Sequence, residues 1–109
     1  MPRWAAKVDG NHALIVEAIR AYGWVVRDTS RVGQGFPDLL IAKRGRTVLV
    51  EVKTPKGRLE EAQKVFLMEW PGEWAILTSL DDVEEFNDSV DQSQPVRLTF
   101  TGDLRNLER

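Results

Sequence analysis

Asp38, Glu51 and Lys53 are the residues of this chain whose types and spacing point most directly to chemistry. The stretch that carries them, Gly33 to Lys53, reads as a β-hairpin. Asp38 to Ala42 and Thr47 to Lys53 are apolar, β-branched runs, and Lys43, Arg44, Gly45 and Arg46 form a short turn between them. A two-residue turn at Arg44-Gly45 sets residue 38 opposite residue 51, with Cβ atoms roughly 5 Å apart. The two-residue period of a strand then puts Lys53 on the same face as Glu51, and Val48, Val50 and Val52 on the other. Two opposed carboxylates repel. A hard divalent cation reverses that sign, because Mg²⁺ is held by one or two carboxylates with waters and phosphate oxygens. A lysine beside such an ion could hold a phosphate or an attacking water, which is the chemistry of phosphodiester hydrolysis. The plainer alternative is an exposed Glu51–Lys53 ion pair, with Asp38 a polar strand start after Pro37.

The elements that position these residues follow from the rest of the chain. Helix one is expected from about Asn11 to Tyr22, entered through Asp9 or Asn11 as the cap and stopped at Gly23. Leu14, Ile15, Ala18, Ile19 and Tyr22 share its apolar face. Asn11 falls near the centre of that face, His12 at its edge, and Glu17 points to solvent. A first strand covers Trp24 to Arg27, and a polar loop leads into the hairpin. Thr54-Pro55-Lys56-Gly57 breaks the second hairpin strand. A second helix follows from Leu59 to Trp70, and then an all-apolar, central strand over Trp74 to Leu77. Ser79 is the expected cap of a third helix running to about Asn87. Asp88 to Gln94 reads as loose, Val96 to Phe100 as an edge strand, and Gly102 to Arg109 as a flexible end. The short basic leader Met1 to Val8 has no assigned place. The order αβββαβα gives an α/β fold, a small mixed sheet flanked by helices. The whole chain, 1–109, reads as one domain with its core over about 9–86 and a C-terminal extension over 87–109.

Composition narrows the chemistry further. The 109 residues include four Trp and four Phe but no Cys and one His, so thiolate and multi-histidine metal centres are excluded and oxygen must be the main ligand. No run reaches transmembrane length, and no signal-peptide pattern opens the chain, so a cytoplasmic protein without a membrane role is expected. The net charge is −2, but the segment Lys43 to Arg58 holds six basic residues and one acid. That strip (Lys43, Arg44, Arg46, Lys53, Lys56, Arg58) suits a polyanion, with a solvated loop as its alternative. The acidic run Asp81 to Asp91 reads as a solvated helix face.

Gly35-Phe36-Pro37-Asp38-Leu39-Leu40, Val48-Leu49-Val50-Glu51-Val52-Lys53 and Leu59-Glu60-Glu61-Ala62-Gln63 together resemble the PD-(D/E)xK nuclease superfamily. Within it the chain is most similar to the short phage and bacterial VRR-NUC-type proteins, over about Asp9 to Phe86. The resemblance implies a restriction-endonuclease-like αβββαβ core and a metal-dependent DNA endonuclease, with branched or junction DNA as one class of substrate. It implies Mg²⁺ or Mn²⁺ bound by Asp38 and Glu51, with Lys53 assisting water attack and no organic cofactor. A glutamine recurs on the helix after the motif, and Gln63 occupies that place. The carbonyl of Val52 is a further expected ligand, since Mg²⁺ accepts oxygen donors. Many relatives complete the site with an acid on the first helix. Here Asn11 or His12 would act instead, through a water, or Asp9 would reach in from the cap. Lys43, Arg44, Arg46, Lys56 and Arg58 are the expected DNA contacts, and a homodimer is the expected assembly. A non-catalytic nucleic-acid-binding domain that keeps the fold stays open as the alternative. So does a protein-interaction module that docks through its acidic third helix.

Overall fold

The hairpin turn sets the register of the sheet. Arg44 and Gly45 both have positive φ, 51° and 80°, the signature of a type I′ turn, whose twist matches that of the strands it joins. Strand β2 (Leu39–Lys43) therefore runs back along β3 (Arg46–Val52), with Leu39 opposite Val50 and Lys43 opposite Arg46. This is the register expected from the sequence, and it leaves Asp38 and Glu51 together at the open end.

The computed structural model describes residues 10–90 and 95–99. Asp9, the leader 1–8 and the end 102–109 lie outside the described residues. Around the hairpin stand α1 (Gly10–Ala21), β1 (Val25–Asp28), α2 (Glu61–Glu69), β4 (Glu73–Leu77), α3 (Leu80–Val90) and β5 (Arg97–Thr99). The five strands form one mixed sheet in the order β1-β2-β3-β4-β5. The first three are antiparallel, and β4 and β5 are added in parallel. The α2 crossover makes the parallel β3–β4 pairing accessible, since parallel neighbours cannot be joined by a tight turn. The architecture is an α/β sandwich of the restriction-endonuclease-like kind.

Helices cover both faces of the sheet. On one, Ile15 and Ile19 of α1 and Val83 and Phe86 of α3 pack on Val26, Leu39, Ile41, Val48, Val50, Ala75 and Leu77. On the other, Leu67 of α2 packs with Leu49, Trp74 and Ile76, ringed by Phe36, Leu40, Leu59 and Phe66. The alternation along β3 thus sends Val48 and Val50 to the first layer and Leu49 and Glu51 to the second.

Three expectations change. Leu14 and Tyr22 are exposed, at 54% and 39%, because α1 buries the stripe centred on Ile15 and Ile19. Leu14 is turned about 100° from Ile15, and Tyr22 follows the helix end. The third helix continues to Val90, through Asp88 and Ser89, which the sequence pattern reads as loose. Val90 is buried and holds that last turn down. Val90 and Val96 both belong to the first core layer, so packing continues past residue 86. The Ser79 cap is present, its Oγ accepting the Asp82 amide at 3.1 Å. Buried Asp82 in turn accepts the Thr78 amide and hydroxyl, at 2.7 and 2.8 Å, fixing the end of β4.

Candidate active site

The chemistry-bearing residues gather where β3 leaves the sheet. Glu51 points to the α2 face beside apolar Leu49 and Ile76, and is only 3% exposed. Its Oε2 accepts a hydrogen bond from Gln63 Nε2 at 2.8 Å and lies 3.7 Å from Lys53 Nζ. Its Oε1 is buried with no hydrogen-bond partner among the described residues. Burial pushes the Glu51 carboxyl up to about 8. The Asp38 carboxylate adds to the rise and Lys53 opposes it. An unpaired buried carboxylate oxygen costs free energy in the folded chain. It is the feature a cation would remove.

Each neighbour is itself held. Asp38 Oδ2 accepts the Val52 amide at 3.1 Å, which ties the start of β2 to the end of β3. Gln63 stands in the first turn of α2, and its Oε1 accepts the Glu60 amide at 2.7 Å. That is half of a capping box, and it leaves the Nε2 side of the amide for Glu51. Gly35, at φ +82°, rests on the helix backbone so closely that a Cβ would overlap the Ala62 carbonyl. The loop before Asp38 and the helix carrying Gln63 are thereby fixed to each other.

From the other face, Asn11 at the start of α1 donates through Nδ2 to the carbonyls of Lys53, at 2.9 Å, and Thr78, at 3.4 Å. The Lys53 amide donates to Leu77 O at 3.1 Å. The backbone of Lys53 is held on both sides, and Asn11 spans the ends of β3 and β4. A cleft of about 340 Å³ opens here, lined by Asn11, His12, Asp28, Asp38, Val52 and Lys53, with Ser30 and Thr54 at its rim. The first turn of α1 carries no acid, and its positive end borders the cleft beside the carboxylates of Asp28 and Asp38. Glu17 is exposed, on the solvent side that the wheel assigns it.

The basic strip separates into two groups. Arg44 sits at the hairpin turn, six residues from Asp38, so about 20 Å along the strand. Lys43 donates to Tyr22 O and Asn87 Oδ1, each at 2.8 Å, and lies over the Trp24 ring. Arg46 pairs with Glu73 through two nitrogens and donates to Val90 O at 2.8 Å. This pairing holds the Glu73 carboxyl below its ordinary value. Lys43 and Arg46 are therefore occupied in holding the far end of the sheet. Lys56 and Arg58 are exposed in the segment that leaves β3, shortly after Lys53 and Thr54 of the cleft.

Asp28 is a cleft residue that sequence reasoning missed. It ends β1 opposite Leu39, next to Asp38. Hydrogen bonds from the Ser30 hydroxyl and amide hold its carboxyl below the ordinary value. A ten-residue loop separates β1 from β2, so no short-range signal could give that pairing.

Among the described residues no three His, Cys, Asp or Glu side chains converge as a ready-made metal cage. Two carboxylates, one with an unpartnered oxygen, suit a cation that takes its remaining ligands from carbonyl, water and phosphate. Among the described residues no helix is long and apolar enough to cross a membrane. The family model described as the VRR-NUC domain matches residues 2–71. No curated protein and no solved structure matches the chain.

Proposed function

This chain belongs to the VRR-NUC domain family of PD-(D/E)xK-type nucleases, and we propose that it is a metal-dependent endonuclease acting on DNA. The observation that carries the reading is the Glu51 carboxyl, buried beside Asp38 with Oε1 unpartnered. Asp38 and Glu51, with the Val52 carbonyl, would hold the cation. Bound there, Mg²⁺ or Mn²⁺ supplies water activation and neutralises charge that develops on the scissile phosphate.

The chain's own residues do the rest. Lys53, whose backbone is fixed by Asn11 and Leu77, presents its ammonium to a phosphate oxygen or to the attacking water. Gln63 keeps Glu51 Oε2 occupied and leaves Oε1 as the oxygen that would bind the cation. His12 borders the cleft, where a ring N–H can donate to a phosphate oxygen. Asn11 fills the first-helix place by holding strand ends together, since its amide is spent on two carbonyls. Lys56, Arg58 and Lys53 carry the DNA backbone, and with it the salt dependence of binding. One domain of this size spans a single strand, so cutting both strands requires two copies, most simply a twofold dimer.

The test is a cleavage panel of branched, duplex and single-stranded DNA with Mg²⁺, Mn²⁺ or EDTA. The reading requires cutting of at least one substrate in a divalent cation and none in EDTA. DNA binding without cutting in either cation would leave the fold with a non-catalytic, DNA-binding role.

A further inference from the structure

The loop that joins β1 to β2 holds a glutamine in a backbone conformation that favours glycine. Gly33, Gln34 and Gly35 adopt positive φ in a row, at 81°, 57° and 82°. Glycine takes that state freely, but a residue with a Cβ does so at a cost. Arg44, the other such residue, meets the need of the hairpin turn, whereas Gln34 lies in no strand pairing. A strained residue persists where its surroundings fix it, and here they do. At the base of the loop the Thr29 amide donates to Asp38 O and the Thr29 hydroxyl to Pro37 O, each at 2.7 Å. Two turns follow, closed by Val32 N to Thr29 O and by Phe36 N to Gly33 O, both at 3.1 Å. Asp28 Oδ1 accepts the Ser30 amide at 2.8 Å, and Gly35 rests on the Ala62 carbonyl.

The preformed loop presents side chains that it does not use. Arg31, Val32 and Gln34 are exposed, Val32 at 59%. None of the three makes a side-chain hydrogen bond among the described residues. A cation, an apolar group and an amide thus stand together on a narrow double turn. Ser30, next to them, lines the cleft. The first turn keeps Val32 within about 7 Å of Thr29, about two base-pair steps of 3.4 Å. A duplex whose phosphate lies in the cleft passes alongside this loop.

The dimensions and chemistry of the loop select the surface it meets. The major groove, about 12 Å wide, takes a helix or paired strands, while the minor groove, about 6 Å wide, takes a thin element. Its A N3 and T O2 acceptors suit the arginine donors and the glutamine amide. Its sugar walls suit valine. A loop already folded does not have to be ordered on binding.

We infer that the loop over 31–34 enters the minor groove of duplex DNA beside the scissile phosphate, and that the strained backbone of Gln34 holds its amide there. The inference rests on the nuclease reading and adds to it a contact that reads the duplex.

The test measures binding in EDTA, where no cutting intervenes, by fluorescence anisotropy of two labelled hairpin duplexes. Their stems carry either G·C or inosine·C pairs, and so differ only in the guanine amino group, the donor that G·C places in the minor groove. Arginine has donors alone, so wild type should bind the inosine stem about threefold more tightly, and Arg31→Ala should lose most of that preference. Gln34→Gly removes the amide and relieves the backbone. Its Tm should equal or exceed that of wild type, while its affinity for the inosine stem should fall about fivefold, the low end for one base contact. Absence of duplex binding, equal affinity of wild type for the two stems, or binding that neither variant changes overturns the inference. A lower Tm for Gln34→Gly overturns it as well, because the amide would then belong to the fold. Loop-dependent duplex binding without cleavage in Mn²⁺ supports the loop and fails the nuclease reading alone.

Discussion

Replacing Glu51 by glutamine tests the buried carboxyl without changing its shape. In wild type the group rises from an ordinary 4.5 to about 8 on folding, which corresponds to about 5 kcal/mol at 1.36 kcal/mol per tenfold change. The folded chain holds the proton more tightly than the unfolded chain. The contribution of Glu51 is therefore fully present below pH 4.5 and is lost as pH rises through about 8. Between pH 5.5 and 8.0 the linkage integral gives a loss of about 3 kcal/mol. That is a large share of a small domain's total of roughly 5–15 kcal/mol. Urea unfolding in EDTA, followed by tryptophan fluorescence at several pH values, reads it directly. The stability of wild type minus that of Glu51→Gln should fall by about 3 kcal/mol across that range, because groups common to both chains cancel. With excess Mn²⁺ the fall should shrink, since a cation bound to the ionised carboxylate offsets its burial. A difference that stays flat between pH 5.5 and 8.0 would mean that Glu51 titrates as an ordinary carboxyl, and the reasoning from burial fails.

Gly35→Ala should lower stability by about 2 kcal/mol or more, because its Cβ meets the Ala62 carbonyl and its φ is left-handed. A denaturation midpoint equal to wild type would contradict the contact. Gln63→Ala removes the partner of the Glu60 amide and leaves Glu51 Oε2 with Lys53 alone, so it should cost about 1–2 kcal/mol and weaken Mn²⁺ binding, read as a smaller metal-dependent rise in Tm. Arg46→Ala should cost about 1–2 kcal/mol through its pair with Glu73 yet leave DNA affinity nearly unchanged. The double change Lys56→Glu with Arg58→Glu should do the reverse, lowering affinity and the salt slope in anisotropy titrations.

The register of the hairpin was legible because a two-residue turn at Arg44-Gly45 leaves one pairing, and both residues adopt the positive φ it needs. Asn11 was legible as a sheet-facing residue from the helical wheel alone, although not its two carbonyl partners. Other features depend on contacts distant in sequence. Glu51 is buried only because α2 covers its end of the strand, and nothing near residue 51 announces that. Lys43 and Arg46 read as a basic strip until Asn87 and Glu73 are placed beside them. Leu14 differs from Ile15 only in its angle to neighbours that the chain reaches later, Val26 and Phe86. Asp28 entered the cleft through strand pairing across a long loop. Local pattern gave the hairpin and the helices. Burial and charge partnership came from the assembled sheet.

The central claim is that Glu51 and Asp38 form a cation site whose buried carboxyl must give up a proton when the ion binds. Calorimetric titration of Mn²⁺ into the metal-free protein, repeated in buffers of different ionisation enthalpy, counts that proton. With the carboxyl at about 8, binding at pH 7 should release about 0.9 proton from Glu51 and at pH 9 about 0.1, and Glu51→Gln should abolish both the release and the tight binding. Absence of Mn²⁺ binding to wild type, or binding with the same proton count at pH 7 and pH 9, would contradict the account.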